Sequence, residues 1–149
     1  MKFTRGYLRD LFQRWRNDPI LFAEEALNFS KEKGFPLTCH QKDILEAYKR
    51  AIHGDKHQLE RFGSVKSGQG GAKTTTEVII AMHWILKNES RMRVMGTSID
   101  QLKDTWMQEA RNIFDRAHPL IQQLYQIRTK DILFWDGKKW HPDWAIRLV

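Results

Sequence analysis

The sequence predicts an α/β fold: a parallel sheet flanked by helices, with a helical segment in front of it. Residues 4–52 carry apolar positions at helical spacing. Between 61 and 113 the pattern runs strand, glycine-rich loop, helix, strand, helix, the order of elements that builds parallel sheets. The chain has 149 residues, of which 41% are hydrophobic and 29% charged, the balance of a folded domain large enough to bury a core.

Each element has its own justification. Residues 4–16 place Tyr7, Leu8, Leu11, Phe12 and Trp15 on one helical face, with Arg5, Arg9, Arg14 and Arg16 on others. Pro19 permits a second helix start, continued by Ile20, Phe22, Ala23, Ala26, Leu27 and Phe29 until Gly34 and Pro36 interrupt it. Thr38 is the expected N-cap of a helix over 39–52, which Gly54-Asp55 ends. Arg61–Lys66 reads as a short strand. The helix from Lys73 to Lys87 contains VIIAMHWIL, apolar nearly all round, as in a helix packed on more than one side. Arg91–Gly96 is a second strand, and Thr97 or Ser98 caps a long helix bearing Ile99, Leu102, Trp106, Ala110 and Ile113. Asp131–Trp135 and Lys138–Trp140 flank Asp136-Gly137, a two-residue hairpin signal. His141-Pro142 breaks the chain before a last strand, Ala145–Val149. This division gives a helical segment over 1–58 and the first part of an α/β core over 59–149.

Composition excludes some classes. No run of about eighteen apolar residues exists, so no membrane-spanning helix is expected. The basic N-terminus lacks the apolar stretch and cleavage site of a signal peptide. A cytoplasmic protein is the expectation. Cys39 is the one cysteine, so neither an internal disulfide nor a zinc framework is expected. His53 and His57, near Cys39 and His40, read as solvated loop histidines. Twenty-five Lys and Arg against eighteen Asp and Glu leave a net charge of +7, which favours polyanionic partners and nucleic acid first.

The segment that carries chemistry is Ser67-Gly68-Gln69-Gly70-Gly71-Ala72-Lys73-Thr74. Glycines let successive backbone N–H groups turn toward phosphate oxygens, and a helix starting directly behind the loop adds its dipole and free N–H groups. A lysine there reaches the terminal phosphates, and the following hydroxyl binds magnesium. Lys73 and Thr74 meet those two demands. Ser67 and Ala72 stand where the P-loop pattern has glycine. Ala72 is the sharper departure, tolerable at right-handed helical angles and unfavourable by about 1 kcal/mol at positive φ. The alternative is a glycine-rich turn that merely joins a strand to a helix.

In this order the motifs resemble the ATPase domain of phage large terminases, the motors that pump DNA into procapsids. Asp18-Pro19-Ile20-Leu21-Phe22 resembles the opening segment of that family. Leu37-Thr38-Cys39-His40-Gln41-Lys42-Asp43-Ile44-Leu45 is similar to its adenine-proximal motif. Val65–Thr74 resembles its Walker A, in which Ser at the first position is usual, and Gly96–Leu102 with Trp106 and Glu109 resembles the strand-to-helix motif that follows. The resemblance implies an ATP- and magnesium-dependent motor acting on double-stranded DNA in the host cytoplasm. It further implies a small terminase, a portal and neighbouring motor subunits as partners. Ser67, Gly68, Gln69, Gly70, Gly71 and Ala72 would then cradle phosphates. Lys73 would hold the β/γ-phosphates, Thr74 magnesium, and Gln41 the adenine edge.

Hydrolysis in that family requires an apolar strand ending in Asp-Glu, and no such strand occurs in this sequence; Glu24-Glu25 reads as a solvated helical pair. The sequence is therefore expected to be the N-terminal part of such a protein, truncated before the Walker B strand, binding nucleotide but hydrolysing it poorly. Arg111, Arg116 and Arg128 are all eligible as an arginine finger. A helicase-like P-loop ATPase and a non-catalytic basic module with a degenerate loop are the competing readings. Trp84 and Trp106 fall on apolar helix faces and are expected in the core.

Overall fold

A computed structural model describes residues 5–54 and 72–149. The chain begins with α1 (Arg5–Asn17), which buries Trp15. Asp18 then caps α2 (Pro19–Leu21), accepting from the backbone N–H of Ile20 at 3.0 Å and Leu21 at 3.3 Å. Pro19 occupies the first turn, where its missing N–H is harmless. The helix runs on as a π-helical turn, Phe22–Ala26, and stops where Asn28 takes a positive φ of 59°. Asn tolerates that conformation better than most residues, and its Nδ2 donates to Arg116 O at 2.5 Å. Glu24-Glu25 differs from the solvated pair expected. Both are half-buried, and Glu25 Oε1 accepts from Arg14 Nε at 2.9 Å and Trp15 Nε1 at 3.3 Å.

Helix α3 (Cys39–His53) starts at Thr38 as its sequence predicts, with a complete capping box. Thr38 Oγ1 accepts from Gln41 N–H at 3.1 Å, while Gln41 Oε1 accepts from Thr38 N–H at 2.9 Å. Helix α4 (Ala72–Lys87) carries buried Val78, Ile79, Ala81, Met82, Ile85 and Leu86. It leads into β1 (Arg91–Val94). Ser98, not Thr97, caps α5 (Ile99–Leu102). The predicted long helix is one continuous rod with a π-helical turn, Lys103–Met107, between α5 and α6 (Gln108–Asp115). After α7 (Pro119–Leu124) come β2 (Tyr125–Ile127), β3 (Asp131–Trp135) and β4 (Trp140–Leu148).

The protein is α/β, with four described strands in the order β1-β4-β3-β2. Only β1 and β4 run parallel; β4 pairs β3, and β3 pairs β2, antiparallel. The expected parallel sheet is thus represented among the described strands by one pair. The expected strand over 61–66 lies outside the described residues, as does the expected 58/59 division. The reason for the antiparallel part is local. Asp136 N–H donates to Lys139 O at 3.2 Å, and Asp136 Oδ1 accepts from the N–H groups of Lys138 and Lys139. Gly137 supplies a φ of 97° at the first central position, so the turn centres on Gly137-Lys138, one residue later than Asp136-Gly137.

The predicted break at His141-Pro142 is a bulge inside one long strand. Leu133 pairs Ala145 whereas Phe134 pairs His141, so Pro142, Asp143 and Trp144 stand out of the ladder. A proline can sit in a central strand only where no ladder N–H is required of it. The bulge also stacks Trp144 on Phe134, with ring centroids 4.4 Å apart, and aims its Nε1 at Ile85 O, 2.6 Å away.

One core joins these elements. It runs from Trp15, Phe22 and Leu45 through Ile79 and Met82 to Ile132 and Ile146. Helix α4 packs on α1, α3, β1 and β4, which explains why its sequence is apolar nearly all round. Its one buried ionisable group is His83. The Nε2 of His83 meets Trp15 O at 2.9 Å, and its Nδ1 meets Tyr48 OH at 2.9 Å. A carbonyl can only accept, so Nε2 carries the proton and Nδ1 accepts from tyrosine. Burial drives the His83 pKa down to about 4.

Candidate functional site

The first turn of α4 follows the glycine-rich segment without a break. Ser67, Gly68, Gln69, Gly70 and Gly71 lie outside the described residues. Ala72 opens the helix, so it takes the right-handed angles at which an alanine is tolerable in place of glycine. Lys73 is exposed and Thr74 half-buried. The next threonine is turned inward, and its hydroxyl donates to Glu109 Oε1 on α6 at 3.0 Å.

Thr74 lines a cavity of about 200 Å³ with Glu77, Gly96, Thr97, Gln101, Leu102, Thr105 and Trp106. The cavity therefore lies between the beginning of α4 and the end of β1. That is where open α/β folds place ligands, beyond the carboxyl end of a strand and at the N-terminus of a helix. Gly96 makes room for the crossing: a Cβ there would stand 2.9 Å from Leu102 Cδ2. Ser98 Oγ accepts from Gln101 N–H at 3.1 Å, Thr97 Oγ1 donates to Gln101 Oε1, and Thr105 Oγ1 donates to Gln101 O at 2.8 Å. These bonds hold a hydroxyl- and amide-rich wall.

Trp106 completes that wall. It is 2% exposed, in the core as its helical position predicts, yet among the described residues its Nε1 has no hydrogen-bond partner. A buried donor left unpaired costs about 1–3 kcal/mol, so this donor is suited to an acceptor brought by a ligand. Glu77, one turn along from Thr74, is the only carboxylate in the lining among the described residues. A hydroxyl and a carboxylate are the hard oxygen donors that magnesium takes; a bare phosphate would be repelled by Glu77. The lining thus sets a hydroxyl and a carboxylate, Thr74 and Glu77, on one helix and the indole of Trp106 on the facing one. The volume falls below that of pockets enclosing a whole small molecule, roughly 300–1,000 Å³.

Gln41 stands apart from this wall. It is buried, and its Oε1 is committed to the capping box. The cap uses one lone pair of that oxygen, so contact with an adenine edge would draw on its second lone pair and on Nε2. The three eligible arginines are also separated. Arg116 is stacked between Phe29 and Phe35, 4.9 and 4.0 Å from their centroids. Arg128 pairs with Asp131 at 3.1 Å, and Arg111 donates to Arg128 O. None lines the cavity. Glu77 and Thr105 are the lining residues that sequence patterning missed, since they come from two different helices with no shared motif.

No family model matches the chain, and comparison with curated proteins and solved structures likewise gives no match. No helix among the described residues is long and apolar enough to cross a membrane.

Proposed function

We propose that this chain is the ATP-binding part of a DNA-translocating motor of the phage large-terminase kind. The observation that carries the reading is the junction at α4. In the sequence a glycine-rich segment immediately precedes a 16-residue helix, and Thr74 in the first turn of that helix lines a cavity at the end of β1 beside an indole donor with no partner among the described residues. In this reading Lys73 extends from the exposed helix start to the terminal phosphates, which charge-assisted bonds hold tightly. Thr74 contributes its hydroxyl to magnesium, and Gln101 with Thr97 and Thr105 keeps the opposing wall in place. Bound nucleotide supplies the phosphoanhydride whose cleavage drives such motors. Without the Asp-Glu strand, this chain binds and orients but does not activate water.

The test is titration of a fluorescent ATP analogue with magnesium against wild type and Lys73→Ala. Binding by wild type and a loss of about tenfold or more in Lys73→Ala is expected; equal binding by the two rejects the cradle. The small volume favours a second reading, a basic binding module whose loop has lost its ligand. Absence of nucleotide binding by wild type, with duplex DNA still bound, would select it.

A further inference from the structure

A second concavity lies away from α4's first turn, along α1. It encloses about 580 Å³, and its lining includes Arg5, Arg9, Arg16 and Lys87 around Leu8 and Phe12. At 100° per residue, Arg5, Arg9 and Arg16 fall within about 40° of one another around the helix, spread along roughly 16 Å of its axis. Among the described residues no carboxylate lines the groove. Asp10, the one acidic residue of α1, projects roughly 120° away from the arginine row. Among the described residues none of these four cations forms an ion pair. Arg16 alone has a structural duty, its Nε donating to Leu86 O at 3.1 Å. Leu8 and Phe12 are half-buried, so the floor between the cations is apolar.

We propose that this groove docks an acidic amphipathic helix of a partner protein, its apolar face on Leu8 and Phe12 and its carboxylates on the arginine row. Charge complementarity selects an anionic partner, because four uncompensated cations at one rim repel one another until carboxylates or phosphates arrive. The apolar floor and concave shape select a helix over a nucleic acid. Helix-in-groove recognition reads apolar anchors at i, i+3, i+4 and i+7. A duplex presents a convex row of phosphates that leaves an apolar floor uncovered. The row of cations beside an apolar seam also matches the flanking-charge pattern by which paired helices choose partners.

The probe is a fluorescein-labelled peptide of three heptads with Leu along its seam and Glu at the flanking positions, titrated by anisotropy into the full chain. A scrambled peptide of the same composition and a 20-base-pair duplex are run beside it. Saturable binding of the helical peptide that weakens with salt, and that drops about tenfold or more in Arg5→Glu/Arg9→Glu, is expected. Leu8→Gln should weaken the peptide at every salt concentration. Arg5 and Arg9 are exposed, so the double variant keeps the fold, which its circular dichroism checks. Equal binding of helical and scrambled peptides, no binding of either, or duplex binding that alone depends on Arg5 and Arg9 would overturn the proposal. Nucleotide affinity, governed by Lys73, is expected to be the same in the Arg5→Glu/Arg9→Glu variant, so this surface and the cradle fail separately.

Discussion

At the scale of single residues, His83 carries the clearest consequence. Its neutral imidazole ties Trp15 O of α1 to Tyr48 of α3 from the middle of α4. The unfolded chain takes up a proton at this histidine near pH 6.5, whereas burial holds the folded pKa at about 4. Between those values the unfolded state binds more protons, so stability falls as pH falls from about 6.5 to about 4 and then levels. The difference corresponds to roughly 3 kcal/mol for this group. Urea unfolding at pH 7, 5.5 and 4.5 should show that decline, and His83→Gln should flatten it. Ala72 makes a contrasting case. Read from sequence, it could obstruct the phosphate cradle, and glycine there could tighten nucleotide binding. As the opening residue of α4 it already has the helical conformation, so Ala72→Gly is expected to leave nucleotide affinity unchanged or slightly weaker. The added backbone freedom should cost up to about 1 kcal/mol of stability; calorimetric titration and thermal melts read the two effects separately.

Secondary-structure elements were legible where their ends are written in local chemistry. The Thr38 cap, the helix start at Pro19 and a cap at Thr97 or Ser98 all depend on neighbours within four residues, and all are read from the sequence; the Gln41 half of the capping box and the choice of Ser98 came from the structure. Thr38→Ala removes the acceptor for Gln41 N–H and should lower stability by about 1 kcal/mol, seen as a reduced urea midpoint at constant slope. Elements whose form depends on distant partners were not legible. Nothing near Pro142 announces that it lies within a strand, because the bulge is defined by β3 across the ladder. The π-helical turns Phe22–Ala26 and Lys103–Met107 leave the apolar periodicity nearly intact, so the sequence reads as uninterrupted helix. The hairpin was legible to within one residue: Gly137 carries the positive φ, and Gly137→Val should destabilise the protein by about 1 kcal/mol or more. Likewise the wall was visible through Thr74 and the Gly96–Leu102 motif but not through Glu77 or Thr105, which acquire meaning from the approach of two helices.

At the scale of the whole molecule, the first helices and the sheet share one apolar interior, although the sequence divides them. Trp15 lies edge-on to Phe12, Phe22 and His118 and is fully buried, so Trp15→Ala should destabilise the protein by about 3–5 kcal/mol. Far-ultraviolet circular dichroism and near-ultraviolet aromatic signals are expected to change together on melting; separate transitions would show that the helical segment folds alone. The two ends of α4 differ in a way that bears on motion. At its far end Asn88 N–H bonds Trp84 O, Trp144 Nε1 bonds Ile85 O and Arg16 Nε bonds Leu86 O, so the carbonyls a helix normally leaves unmet are taken by three separate parts of the chain. A rod clamped there and seized at its first turn cannot slide along its own axis. A load on Thr74 would therefore be borne by the elements that hold the far end, α1 and β4, and slow amide exchange should persist in the last two turns of α4.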